Sequence, residues 1–224
     1  MSDRSGTPRL SRRALVVRGG WAGHVPVEAT DRFIPFLEEQ GFEVDVHDGP
    51  QAYDDAEALA ATDLVLQCFT QGEATDTQVT HLADAVRAGT GLAGWHGGIV
   101  DSFRSNTDYS FITGGQFISH PGGFVDHEIE IVAEHPIVAG IERFNLRTEQ
   151  YYVHADPTNQ VLATTTFSAH PDYPWIAGAT MPAVWTRTWG DGRIFVCTPG
   201  HSLADLEQPE VRTIIERGLL WASK

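Results

Sequence analysis

The chain has 224 residues, 42% hydrophobic and 20% charged, and its 30 Asp and Glu against 15 Lys and Arg give a formal net charge of −15. Such an acidic excess repels phosphate backbones and anionic lipid, so nucleic-acid and membrane-surface partners are not expected. Six Trp and the apolar fraction exclude a disordered chain, and no uninterrupted apolar run approaches the ~20 residues of a membrane span.

Residues 1–12 carry arginines with no apolar stretch behind them. They read as a loose tail rather than a secretory leader, with 13–224 as one domain. Cys68 and Cys197 could make at most one bridge, so a reducing cytoplasm is the expected compartment.

Ala14–Val17 is a short apolar run ending in Arg18-Gly-Gly, a buried first strand. Residues 27–40 place Thr30, Phe33, Ile34 and Leu37 on one helical stripe that Gly41 ends, and Pro35 should kink this helix or delay its start. Phe42–Val46 alternates as a second strand, and Asp63–Leu66 is a third. Residues 76–88 carry Val79, Leu82, Ala83 and Val86 at helical spacing, and Gly91–Trp95 is a fourth strand. This alternation implies a parallel sheet covered on both faces. Further on, Phe124–Val132 alternates, strands are expected at 161–166, 183–189 and 193–197, and Gly190-Asp-Gly192 makes a hairpin turn. A closing helix spans 209–222, with Val211, Ile214, Ile215 and Leu219 inward.

Ligands of open parallel sheets bind beyond the carboxyl ends of the strands. Here those ends carry Arg18-Gly-Gly-Trp-Ala-Gly-His24, Gln67-Cys-Phe69, Gly94-Trp-His-Gly-Gly98 and Thr198-Pro-Gly-His201. The Gly94–Gly98 segment has the form of a nucleophile elbow with His96 at its tip. Imidazole suits general acid–base work or metal ligation near neutral pH; the plainer reading is a tight turn with a packed ring. For His24 the plainer reading is a helix-capping residue. Glu149-Gln-Tyr-Tyr152 sets a carboxylate beside aromatics, which suits sugar recognition, although one of the two tyrosines should be core. His120 is a candidate pocket residue. No HExxH, paired CxxC or Walker segment is present in the sequence.

Four segments resemble the trehalose-utilisation (ThuA-like) family of the class I glutamine amidotransferase-like superfamily. They are the Arg18–His24 loop, Gly94-Trp-His-Gly-Gly-Ile-Val-Asp-Ser-Phe-Arg104, Thr107-Asp-Tyr-Ser-Phe-Ile-Thr-Gly-Gly-Gln-Phe-Ile-Ser-His-Pro-Gly122, and Trp185-Thr-Arg-Thr-Trp-Gly190 with Gly200-His201. The resemblance runs over about residues 14–222. It implies a flavodoxin-like three-layer α/β sandwich with a mostly parallel central sheet. In true amidotransferases the elbow residue is a cysteine; His96 stands there instead, so glutamine hydrolysis is not expected. His201 resembles the family's C-terminal histidine. Thr148 stands where the family often has an acid, leaving Glu149 as the sole carboxylate of that motif.

The family is associated with disaccharide catabolism beside dehydrogenases that form 3-keto sugars. The resemblance therefore implies acid–base chemistry on a disaccharide or its 3-keto derivative. The catalytic candidates are His96, His201, Glu149 and His24. Trp21, Trp95, Tyr151, His120 and Arg187 are the candidates for binding substrate. A divalent metal such as zinc is an open cofactor, with His24 and His96 the first ligand candidates. The competing readings are a non-catalytic carbohydrate-binding or regulatory module on this fold, and an unrelated small-molecule hydrolase that pairs His96 with Cys68 or another nucleophile. A homodimer is the favoured assembly.

Overall fold

The computed structural model describes residues 12–224. The expected tail therefore lies outside the described residues, apart from Arg12. That residue already belongs to the first strand, where it pairs with Phe42 and lays its guanidinium over the Phe42 ring, 4.1 Å from the centroid.

In chain order the strands are β1 (Arg12–Gly20), β2 (Phe42–His47), β3 (Leu64–Thr70), β4 (Gly91–Trp95), β5 (Gly115–Ser119), β6 (Phe124–Ile131), β7 (Phe144–Glu149), β8 (Tyr152–Ala155), β9 (Gln160–Thr166), β10 (Thr180–Trp189) and β11 (Gly192–Cys197). The helices are α1 (Pro26–Asp31), α2 (Ile34–Glu39), α3 (Ala56–Ala60), α4 (Asp76–Arg87), α5 (Gly97–Val100), α6 (Thr107–Thr113), α7 (Leu203–Glu207) and α8 (Pro209–Ala222). The main sheet has the order β2-β1-β3-β4-β11-β10-β9-β6-β7, and β5 pairs with β8 apart from it.

The core of that sheet is parallel: β2, β1, β3, β4 and β11 all run the same way. From β10 onward the pairing is antiparallel. Helices cover both faces and complete the three-layer, flavodoxin-like α/β sandwich. Successive strand residues point to opposite faces. Val16 and Leu66 therefore pack toward Phe33, Leu37, Ile215 and Leu219, while Val17 and Val65 pack toward Leu59, Leu82 and Val86. Each such side chain, fully buried, contributes roughly 1.5–3 kcal/mol from water exclusion.

The Pro35 expectation is met by a break: α1 stops at Asp31, and α2 restarts with Pro35 in its first turn, where the missing N–H costs nothing. The Gly190-Asp191 loop joins β10 to β11 with Trp189 opposite Gly192. One boundary differs from expectation in a way that matters. β3 continues to Thr70, so Gln67 and Cys68 lie within the sheet and not on the loop beyond it. Gln67 is fully buried there, accepting from the Tyr53 hydroxyl and donating to Ser102 Oγ at 3.3 Å. No helix among the described residues is long and apolar enough to cross a membrane.

Order reversal between β2 and β3 on either side of β1 opens a crevice at the strands' carboxyl ends. The loops after β1, β3, β4 and β11 all emerge at that rim.

Candidate active site

Each group at the rim is held by a local device. Near the end of β1, Arg18 anchors the following loop by ion pairs to Asp31 (2.8 Å) and Asp48 (3.0 Å). Trp21 N–H then donates to the Thr70 carbonyl at 2.9 Å. A single 3-10 turn, Ala22–His24, ends at Val25 in the left-handed region (φ 41°), and α1 begins. His24 is buried by this path, and its Nδ1 lies 2.9 Å from Thr70 Oγ1.

His96 sits on the elbow. Its φ of 50° and ψ of −146° are costly for a residue with a side chain, the strained conformation expected at such a turn. Its amide donates to the Cys197 carbonyl and its Nδ1 to the Thr198 carbonyl, both at 2.7 Å. That second bond fixes the tautomer and makes Nε2 the lone-pair nitrogen of the neutral ring. The next residue must be small, since a Cβ on Gly97 would come 2.6 Å from His24 Cε1. Gly97→Ala is therefore expected to push the His24 ring aside and cost about 1–3 kcal/mol, read as a lowered Tm in a thermal melt. An unchanged Tm would show that the elbow has slack.

Glu149 arrives from the other half of the sheet. It ends β7 opposite Phe124, and its neighbours clamp it on both sides. Thr148 Oγ1 donates to Asp205 Oδ2 at 2.7 Å, and Gln150 Nε2 donates to Thr165 Oγ1 at 2.7 Å. Thr148 thus spends its hydroxyl on the α7 capping box, in which Ser202 and Asp205 hold each other's backbone N–H groups. The same box fixes His201, the residue before Ser202.

These segments converge. Glu149 Oε2 lies 3.2 Å from His96 Nε2 and 3.2 Å from His201 Nδ1, while Oε1 lies 3.6 Å from His120 Nε2. The imidazole centroids of His24, His96 and His201 are 4.7, 5.0 and 5.3 Å apart pairwise. One donor atom from each of His24, His96, Glu149 and His201 falls within 4.8 Å of the others, a set able to hold a metal ion. Tyr151 stacks on His96 (centroids 4.0 Å, interplanar angle 28°), and its hydroxyl lies 2.7 Å from Nε2. Trp21 meets His24 edge-on at 4.7 Å, and Phe124 meets His201 edge-on at 5.0 Å. Both rings are half exposed, Trp21 at 47% and Phe124 at 52%, and they flank the open side.

Burial and neighbouring charge set the protonation. Burial, then the positive charges that His96 and His201 would carry, push His24 down to about 3. Burial also lowers His96, against the opposing pull of Glu149 and the Thr198 carbonyl. Burial alone would raise Glu149, but its contacts with His201 and His96 outweigh that and hold the carboxyl below its ordinary range. Burial and the nearby Glu149 charge raise Tyr151 well above a free phenol. At neutral pH the centre therefore combines an ionised carboxylate, neutral His24 and His96 rings, and a protonated phenol.

The structure thus brings His24, His96, His201, Glu149, Tyr151, His120 and Trp21 together. It does not bring in Trp95 or Arg187. Trp95 is 2% exposed and packs on Phe33 at 4.8 Å, in the core between the sheet and the α1, α2 and α8 layer. Arg187 lies well down β10, with NH1 3.3 Å from Asn159 Oδ1 and 3.6 Å from Asp156. The odd-even alternation of a strand places such residues in the sheet's packing faces, and their place in a motif does not reveal it. Cys68 and Cys197 are both buried, and burial pushes the Cys68 thiol up to about 12, which disfavours a thiolate partner for His96. Thr70 and Thr198 were not expected at the site from the sequence, whereas Phe124 is one of the aromatics of the irregular half expected to cover a pocket or an interface. For the two threonines little in the sequence points inward. Only their position one strand-end away from a histidine hints at a role.

The chain is thus an open α/β sandwich with a crevice at the carboxyl ends of its parallel strands and a histidine, not a cysteine, at the elbow beyond β4. Residues 13–222 match the ThuA family, described as trehalose utilisation, and the chain belongs to that family. Among solved structures it is similar to a ThuA-like protein from Bacteroides uniformis ATCC 8492 (15% identity, 98% of this chain and 95% of that one, TM-score 0.75). It is also similar to a ThuA-like protein from Parabacteroides merdae ATCC 43184 (16%, 95% and 90%, TM-score 0.74). A cytoplasmic protein from Salmonella typhimurium LT2 shares the fold as well (15%, 95% and 100%, TM-score 0.65). No curated protein matches it in sequence.

Proposed function

We propose that this protein acts in sugar catabolism by acid–base chemistry on a disaccharide or its 3-keto derivative. The observation that carries this reading is the convergence of His24, His96, His201 and His120 on Glu149 behind two exposed aromatic rings, in a chain of the trehalose-utilisation family. Rings at the mouth suit the apolar faces of a pyranose, and the inner polar groups suit its hydroxyls.

A ketone at carbon 3 acidifies the hydrogen on carbon 2. The ionised Glu149 would accept that proton on Oε1, the oxygen on the side of the more exposed His120. The Tyr151 phenol, kept protonated by burial, holds a proton next to His96. Protonating the carbon 1 substituent as it leaves with its electron pair gives elimination. Returning a proton to the opposite face of carbon 2 gives epimerisation. Either course uses positioned acids and bases and no covalent nucleophile. The two unbridged, buried cysteines and the cytoplasmic Salmonella neighbour support a cytoplasmic site of action.

The test is incubation of purified protein with trehalose, 3-keto-trehalose and other 3-keto disaccharides, with products followed by mass spectrometry and deuterium exchange at carbon 2. Conversion or exchange is expected with the wild-type chain and loss of at least 100-fold with His96→Ala. Tight sugar binding with neither conversion nor exchange would overturn the enzymatic reading in favour of a binding module.

A further inference from the structure

We infer that His24, His96, His201 and Glu149 form a zinc-type transition-metal centre, with Nε2 of His24 and His96, Nδ1 of His201 and Oε2 of Glu149 as the donor atoms. The inference stands on donor geometry and not on the sugar reading, although the two share one cluster. Metal content and turnover therefore fail separately.

Spacing comes first. Tetrahedral zinc with bonds of ~2.0–2.1 Å sets its donor atoms about 3.3–3.4 Å apart. Glu149 Oε2 stands 3.2 Å from both His96 Nε2 and His201 Nδ1. An imidazole centroid lies about 3.2 Å behind such an ion, so ligating rings should have centroids about 5.2 Å apart. The three rings are at 4.7, 5.0 and 5.3 Å.

The outer partners agree with the spacing. A ligating histidine ordinarily donates its other ring N–H to a carbonyl or another oxygen, which fixes ring and tautomer. His96 Nδ1 does so to the Thr198 carbonyl at 2.7 Å, and His24 Nδ1 has Thr70 Oγ1 at 2.9 Å. In both rings the nitrogen left over is Nε2.

An unmet donor or acceptor completes the case. His201 Nδ1 is buried and without a hydrogen bond, despite its closeness to Glu149, because the contact is off the hydrogen-bond direction. Buried polar atoms are rarely left in that state. The Tyr151 hydroxyl lies 2.7 Å from His96 Nε2, and an ion at that nitrogen would take the place of this hydrogen bond. Nitrogen donors with one carboxylate select zinc and its first-row neighbours over magnesium or calcium, which take oxygen.

The experiment uses the full chain. Elemental analysis after purification, then stripping with a chelator and titration of the stripped protein with Zn²⁺, should show about one equivalent bound and a higher Tm on rebinding. The Co²⁺-substituted protein should show the intense visible absorption of a four-coordinate ion. His201→Ala should lose the bound ion. Thr70→Val, a milder change, should weaken Zn²⁺ binding about 10–100-fold through loss of the His24 orienting contact. Stripped protein that neither binds stoichiometric Zn²⁺ nor shifts its Tm would overturn the inference. So would Zn²⁺ that remains fully bound in both variants.

Discussion

Glu149→Gln is expected to lower turnover of a 3-keto disaccharide by about 10²–10⁴-fold, the range that a positioned acid–base group supplies. Glutamine keeps the shape and can still touch His120 and His201, so the fold should survive, and a far-UV spectrum and Tm close to wild type will show that it does. What disappears is the one ionised group at the meeting point of His96, His201 and His120. The amide cannot accept a proton from carbon. Steady-state kinetics should place the loss in kcat more than in KM, since the ring-lined mouth is untouched. Full activity in this variant would remove Glu149 from the chemistry.

Trp95→Ala should have the largest effect on stability, about 3–5 kcal/mol as for other buried aromatics cut back to alanine. In a chain of this size that corresponds to a fall in Tm of roughly 10 °C. The indole is 2% exposed, stacks obliquely on Phe33 and closes the space that Gly200 leaves open. Its neighbour His96 points to the opposite side of the strand end. Trp95→Phe should therefore soften the Tm while leaving KM for a sugar substrate unchanged. A raised KM with an unchanged Tm would restore Trp95 to the binding surface.

Most of the scaffold was legible because its signals are strong and local. β4 and α8 fall where apolar runs and glycine or proline punctuation put them, and the α1–α2 break follows from Pro35. The shorter elements were not legible. α6 spans seven residues between an Asn106 cap and Gly114, too few for a helical stripe to stand out. The β5–β8 ribbon pairs segments whose sequences do not alternate cleanly, because its register shifts between Phe117 and Ser119. At the site, glycine-flanked histidines at strand ends pointed to His24, His96 and His201. Phe124 read only as one of several aromatics covering a pocket or an interface, and its register opposite Glu149 is what places it; Thr70 carried no mark and required the true end of β3. Trp95 and Arg187 shared motifs with site residues, but their side chains project into the packing.

The seam in the sheet has a last consequence. The parallel half furnishes the imidazoles on the loops beyond β1, β4 and β11, and the chain between β5 and β8 furnishes Glu149, Tyr151 and His120. Neither portion holds a complete reactive set, so no fragment cut from the gene at residues 115–155 can work unaided.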